Sequence, residues 1–243
     1  MNGKLILFPV PIGADDISHS LPSWNIELLN SCKHFVVEEV RTARRFLKHA
    51  GYEHSIDDTT FYTLNEHTRE DLGNALSSVL ESYLSPIEAG LNVGLLSEAG
   101  LPCVADPGKL LTSVAQQKGI EIVPLVGPSS LMLALMASGF NGQNFAFVGY
   151  LPIDRGERAK SIAKLEQRVW KEHQTQIFIE APYRNNQMLE ALCETCHGET
   201  RICVACDLTL DSQLIVSHSV NEWKKLRKEL NLHKRNTVFL LGE

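Results

Sequence analysis

Short apolar runs alternate with amphipathic stretches along most of the chain, which predicts an α/β protein built on a largely parallel sheet. Leu5 to Phe8 reads as the first strand and ends in the turn-rich Pro9-Val10-Pro11-Ile12-Gly13. A helix is expected around Asn25 to Ser31, with Ser23 as its N-cap, then a strand from His34 to Val37 running into Glu38-Glu39. A basic helix from Thr42 to His49 stops at Gly51, followed by a strand near Phe61 to Leu64 and a helix from Leu72 to Leu84. Leu91 to Leu96 forms the next strand, a helix begins near Lys109 and ends near Gly119, and Glu121 to Val126 is a further strand. Gly127-Pro128-Ser129-Ser130 opens a helix that stops at Gly139.

The domain boundary is placed near Gly127, giving an N-terminal α/β domain over 1–127 and a C-terminal one over 128–243. In the second half, strands are expected at Phe145 to Val148, Gln176 to Ile179, Arg201 to Leu208, Leu214 to Ser217 and Thr237 to Leu241. Helices are expected at Arg158 to His173, Asn185 to Cys196 and around Trp223 to Leu230. The closely spaced strands near the end predict a mixed sheet there, because antiparallel neighbours need no long crossover.

Open parallel sheets bind ligands at the carboxyl ends of their strands. Three strand-end loops are therefore the candidates for a small-molecule site. The loop Pro9 to Gly13 has prolines, which remove amide donors, so it suits a rigid apolar wall better than a phosphate cradle. The loop Ser97 to Gly108 carries Glu98, a carboxylate able to accept two hydrogen bonds from vicinal ribose hydroxyls or to face a cation. Gly127 to Ser130 combines hydroxyls with free amides at a helix start and can receive a carboxylate. A ligand with adenosine, a carboxylate and a cation but no phosphate is S-adenosylmethionine. Each loop alone would also serve as a strand terminator, a solvated acid or a helix cap.

Composition narrows the classes. With 243 residues, 44% hydrophobic and 21% charged, the chain has the make-up of an ordinary globular protein, and a net charge of −6 gives no global pull toward nucleic acid. No secretory leader and no membrane span is expected, so the cytoplasm is the expected compartment. Cys193-x-x-Cys196 and Cys203-x-x-Cys206, with His197 between them, resemble a zinc cage by spacing. However, Cys203 and Cys206 lie in a strand pattern where residues three apart point to opposite faces, so buried reduced thiols and no metal are expected.

The motifs Pro9-Val10-Pro11-Ile12-Gly13 with Asp16-Ile17, Glu38-Glu39-Val40-Arg41, Ser97-Glu98-Ala99-Gly100-Leu101-Pro102 with Asp106-Pro107-Gly108, Val126-Gly127-Pro128-Ser129-Ser130 and Phe178-Ile179-Glu180-Ala181-Pro182-Tyr183-Arg184 fall in the order found in the tetrapyrrole methylase superfamily, which the chain resembles over nearly its whole length. Within that superfamily they are most similar to the ribosomal RNA small subunit methyltransferase I branch, which methylates a cytidine ribose 2′-hydroxyl. The resemblance implies two α/β domains with S-adenosylmethionine in the cleft between them, in a homodimer. By position it implies that Pro11 and Gly13 line the cofactor and that Ser97, Glu98, Ala99 and Leu101 hold its polar end and ribose. Ser129, Ser130, Glu180, Ala181, Ala205 and Asn236 complete the pocket. Departures from the branch include Ala14 where it has Asn, Val40 within its Glu-Asp-Thr-Arg, Leu101 within its Asp-Ala-Gly-Thr-Pro, and Asp207-Leu208-Thr209-Leu210-Asp211 in place of its Glu-Leu-Thr-Lys.

A ribose hydroxyl is a poor nucleophile near neutral pH, so a base helps the displacement. Glu38, Glu39 and Asp106 are the candidates, of which Glu39 and Asp106 are taken as catalytic, with Arg41 anchoring a substrate phosphate. Basic runs at Arg41, Arg44, Arg45 and Lys48, and at Arg155, Arg158, Lys160 and Lys164, predict an RNA partner. A tetrapyrrole or protein acceptor, or binding without turnover, stay open as alternatives.

Overall fold

The computed structural model describes residues 3–13, 17–65, 68 and 73–243; Ala14, Asp15, Asp16 and the predicted helix start at Leu72 lie outside the described residues. The chain divides into two units, Met1–Ser129 and Ser130–Glu243.

The first unit runs β1 (Leu5–Phe8), α1 (Ser23–Leu29), β2 (Cys32–Val37), α2 (Val40–His49), β3 (Thr60–Thr63), α3 (Leu76–Glu88), β4 (Asn92–Leu96), α4 (Lys109–Gln117) and β5 (Ile122–Pro124). Its strands lie in the order β3-β2-β4-β1-β5, every pairing parallel. Strand alternation splits the apolar side chains between two layers. Ile6, Phe8, Phe35 and Val37 pack with Leu29, Ala43 and Leu47 of α1 and α2. Leu5, Val36 and Leu95 pack with Leu80, Leu84, Leu111 and Ala115 of α3 and α4. Both faces are covered, which is why these strands read as unbroken apolar runs rather than alternating ones.

The second unit runs α5 (Ser130–Ser138), β6 (Phe145–Tyr150), α6 (Arg155–Glu172), β7 (Thr175–Ile179), α7 (Asn185–Thr195), β8 (Arg201–Cys206), β9 (Leu214–Ser219), α8 (Val220–Leu226) and β10 (Thr237–Gly242). The order is β6-β7-β10-β8-β9, with β6 and β7 parallel and the remaining pairs antiparallel. The sheet is mixed, as its strand spacing predicted. Its core joins Phe178, Val204 and Phe239 to Ile162, Met188, Leu192 and Trp223 from the helices.

Helix starts account for most differences from the expected boundaries. Ser23 is the first helical residue of α1 rather than its cap; Pro22 precedes it and no side chain caps the helix. The first residue of α2 is Val40, because the Glu39 carboxylate accepts the Arg41 N–H at 3.0 Å. Asp154 caps α6 three residues ahead of the predicted start, and a Ser219/Glu222 capping box starts α8 early. The four clustered cysteines are free and buried. All four are buried core residues, Cys203 bonds toward Ser217, and burial pushes all four thiols up. Among the described residues no group of three or more His, Cys, Asp or Glu is arranged to hold a metal ion.

Candidate active site

Strands β4, β1 and β5 are neighbours in the sheet, so the loops leaving their carboxyl ends adjoin. Gly100 is where they meet. Its N–H and carbonyl pair with the carbonyl and N–H of Val10, both at 3.0 Å, and the Ser97 hydroxyl donates to the Gly100 carbonyl at 2.9 Å. Gly100 has φ +72°, and a Cβ there would lie 3.1 Å from Ile12 Cγ2 and 3.3 Å from the Pro128 carbonyl oxygen. That conformation and that space both call for glycine. Gly127 is pressed against Pro9 so closely that a Cβ would lie 2.2 Å from the proline Cβ. The chain leaves β2 toward the α1/α2 face and leaves β4 toward the α3/α4 face, which opens a crevice at their carboxyl ends.

A cavity of about 400 Å³ lies at this end of the sheet, lined by Pro11, Gly13, Ser97, Glu98 and Ala99 together with Thr42, Arg45, Phe46 and His49 of α2. Its volume is in the range of small-molecule sites, about 300–1,000 Å³. Apolar walls, hydroxyls and a lone carboxylate without a glycine-rich amide cradle fit a phosphate-free nucleoside such as S-adenosylmethionine. Leu101 is half-buried, beside Gly100 and outside the cavity lining. Ser129 closes the first unit and Ser130 begins α5 in the second.

The acids are arranged differently from the expectation. Glu39 is exposed and its carboxylate is engaged in capping α2. Glu38 is half-buried at the end of β2. Its carboxyl is pushed up to about 7, first by burial, then by the charge of Asp106 and a hydrogen bond to it, then by the charge of Glu98; the Glu98 backbone opposes this. Asp106 is held by the N–H groups of Gly108 at 2.6 Å and Cys103 at 3.1 Å. Two non-glycine residues of this loop, Cys103 and Ala105, have φ of +69° and +57°. Such strain is characteristic of functional sites. Glu38, Glu98 and Asp106 thus converge from the loops after β2 and β4. The available signal for Glu38 was strand alternation, which carries it onto the same face as Val36.

Arg41, Arg45 and Lys48 are exposed along α2, and Arg45 and His49 also border the cavity. Arg44 pairs with Asp57 at 2.6 Å. The other predicted basic run is not an open positive face. Arg155 pairs with Glu194 at 3.0 Å, Lys160 with Glu157 at 2.8 Å, and Arg158 is buried; only Lys164 is exposed with no acid recorded beside it among the described residues. Acids on and facing α6 take up its charge.

In the second unit the carboxyl ends of β7 and β8 coincide with the start of β10, through the pairs Ile179–Val238 and Cys206–Thr237. This register gathers Glu180, Ala181, Ala205 and Asn236 at one end of the sheet. Glu180 is buried, and its Oε1 accepts from the Ala181 N–H at 2.6 Å and from Arg184 Nε and Nη2 at 2.9 and 2.6 Å. Its Oε2 is buried with no partner, an acceptor suited to a ligand hydroxyl or ammonium group. Ala205 is buried mid-strand, and exposed Asn236 accepts the Asp207 N–H on its carbonyl at 2.8 Å.

Residues 19–223 match the family model described as Tetrapyrrole (Corrin/Porphyrin) Methylases. A ribosomal RNA small subunit methyltransferase I from Vibrio cholerae serotype O1 is 33% identical, over 99% of this chain and 77% of its own length. Its counterpart from Leptospira borgpetersenii serovar Hardjo-bovis is 32% identical, over 100% of this chain and 89% of its own length. Among solved structures, the methyltransferase CobJ superposes with a TM-score of 0.62 at 17% identity, covering 99% of this chain and 94% of that one. Uroporphyrin III C-methyl transferase from Thermus thermophilus superposes with a TM-score of 0.59 at 15% identity, covering 99% and 98%. At such identity the likeness to solved structures is one of fold. The family match spans most of the sequence and the RNA methyltransferases align along nearly all of it: the chain belongs to the tetrapyrrole methylase family of S-adenosylmethionine-dependent methyltransferases.

Proposed function

We propose that this enzyme methylates the ribose 2′-hydroxyl of a cytidine in small-subunit ribosomal RNA, as a homodimer in the cytoplasm. The observation that carries the reading is the near end-to-end alignment with relatives named ribosomal RNA small subunit methyltransferase I. The exposed basic row of α2 supports it, since Arg45 and His49 stand both on that row and on the cavity wall. An RNA strand whose phosphates are anchored by Arg41 and its neighbours would bring a ribose beside the acids at the end of β2. Six free cysteines and the lack, among the described residues, of any helix long and apolar enough to cross a membrane are compatible with the cytoplasm.

S-adenosylmethionine, when bound, supplies an electrophilic methyl group on a sulfonium. In this reading Pro11 and Gly13 line it, while Ser97, Glu98, Ala99 and Leu101 hold its polar end and ribose. Ser129, Ser130, Glu180, Ala181, Ala205 and Asn236 provide the remaining contacts. Glu38 accepts the proton of the acceptor hydroxyl, and its pKa of about 7 suits a base working near neutrality. Asp106, fixed by two backbone N–H groups, lies beside Glu38, whose pKa it raises by its charge and by a hydrogen bond.

The test supplies methyl-labelled S-adenosylmethionine and small ribosomal subunits from cells deleted for this gene, then digests the RNA to nucleosides. Label in 2′-O-methylcytidine is the expected result. Label in another nucleoside, a tetrapyrrole or a protein, or cofactor binding with no label transferred to any cellular fraction, overturns the acceptor assignment. A monomeric mass by light scattering overturns the dimer.

A further inference from the structure

We propose that Asn185 is a positioning residue for the cofactor contacts of the second unit. It acts by fixing the main chain on either side of Asn236, and the inference rests on the cofactor reading given above.

Asn185 is the first residue of α7 and is fully buried. Its Nδ2 donates to the Arg235 carbonyl at 2.7 Å and the Thr237 hydroxyl at 3.1 Å, and reaches the Leu232 carbonyl at 3.4 Å. Asn236 lies between two of these acceptors. Its own carbonyl takes the Asp207 N–H, and the Arg235 side chain is tied back by Nε to Asp207 Oδ2 at 2.7 Å. The segment is thus held from the start of α7 and from the loop after β8, although no regular ladder fixes it before Thr237.

Two features indicate that this geometry serves something other than stability. Asn185 Oδ1 is buried and has no partner, so the amide carries a desolvation cost that an apolar residue of similar size would avoid. In addition, Lys234, Asp207 and Thr209 have φ of +63°, +48° and +73° without being glycines. Strained backbone concentrated around one segment is retained where a site demands it. Beside this segment lies the unpartnered oxygen of Glu180, which independently points to a ligand. Asn185 therefore serves as the donor that presents Asn236 to the cofactor in one conformation.

The experiment compares wild-type enzyme with Asn185→Leu in steady-state methylation of small ribosomal subunits. Calorimetry with S-adenosylhomocysteine gives the affinity directly. The expected result is a KM for S-adenosylmethionine raised about tenfold with kcat unchanged, the scale of one or two lost hydrogen bonds. Thr237→Val removes one of the same contacts while leaving the Asn185 side chain in place and is expected to raise KM about threefold; it decides the matter if Asn185→Leu does not fold. Unchanged KM in the folded variants, with or without loss of kcat, overturns the proposal. Glu98→Ala and Glu180→Gln separate the two levels. If these weaken cofactor binding while Asn185→Leu does not, only the positioning role fails; if they too leave affinity intact, the underlying cofactor assignment fails and the proposal with it.

Discussion

The two units organise the loops at the end of a sheet by different means. In the first, parallel strands deliver three loops side by side, and those loops lock together backbone to backbone through Val10 and Gly100. Prolines and glycines do the shaping, leaving Glu38, Glu98 and Asp106 free of basic partners among the described residues and crowded enough to shift a proton equilibrium. In the second, the last strand is inserted between β7 and β8, and the end of the sheet is held by side chains: Glu180 with Arg184, Asp207 with Arg235, and Asn185 with the segment before β10. Among the described residues no ion pair is recorded for Glu38, Glu98 or Asp106, whereas Glu180 and Asp207 each pair with an arginine.

The contrast is tested most severely at Glu38. Glu38→Gln keeps shape and removes the base, and the expected loss in kcat is about 10²–10⁴-fold. In the wild type, activity should rise with pH along a limb near 7 that the variant lacks. Stability should move the opposite way. A carboxyl whose folded pKa lies above its unfolded value stabilises the protein at low pH, and that contribution is lost as pH rises from about 4.5 to 7. Thermal melts of Glu38→Gln should lack this fall; equal pH dependence in both proteins refutes the assignment.

In the second unit the corresponding change is structural. Arg184→Met leaves the fully buried Glu180 carboxylate without the guanidinium that donates twice to its Oε1 and should cost about 3–5 kcal/mol, read from denaturant unfolding. A loss under 1 kcal/mol would mean that the pair is not the fastening described here. Gly100→Ala attacks the backbone lock of the first unit. With φ +72° and only 3.1 Å to Ile12, it should cost about 1–3 kcal/mol and weaken cofactor binding, measured by melts and calorimetry. Arg44→Ala is expected to do least. Its pair with Asp57 is exposed on both sides, so stability should change by less than about 1 kcal/mol. A larger drop would show that α2 depends on that contact.

Much of this architecture was legible because local patterns and global fold agree. Buried parallel strands such as Leu5–Phe8 and Asn92–Leu96 are apolar on both sides, and each is bounded by turn residues, so the strands were placed within a few residues. Helix starts were less legible, because Glu39, Asp154 and Ser219 act through single side-chain hydrogen bonds that hydrophobic periodicity does not register. The three loops of the first site could be picked out by their proline, glycine and acidic content. That Glu38 interacts with Asp106 depends on the fold around the strand end, and the basic run of α6 could not be discounted without seeing Glu194 and Glu157 beside it.

By itself the sequence determined the α/β class, the order of elements and the turn-rich loops that end the strands, since these follow from side-chain period and turn chemistry within short stretches of chain. Tertiary structure alone decided which strands are neighbours, that β10 lies between β7 and β8, and that Asn185 grips a segment about fifty residues away. Such contacts depend on the closure of long loops, whose entropic cost grows only slowly with length. Many pairings are therefore compatible with one local pattern, and the packing of both sheets selects among them.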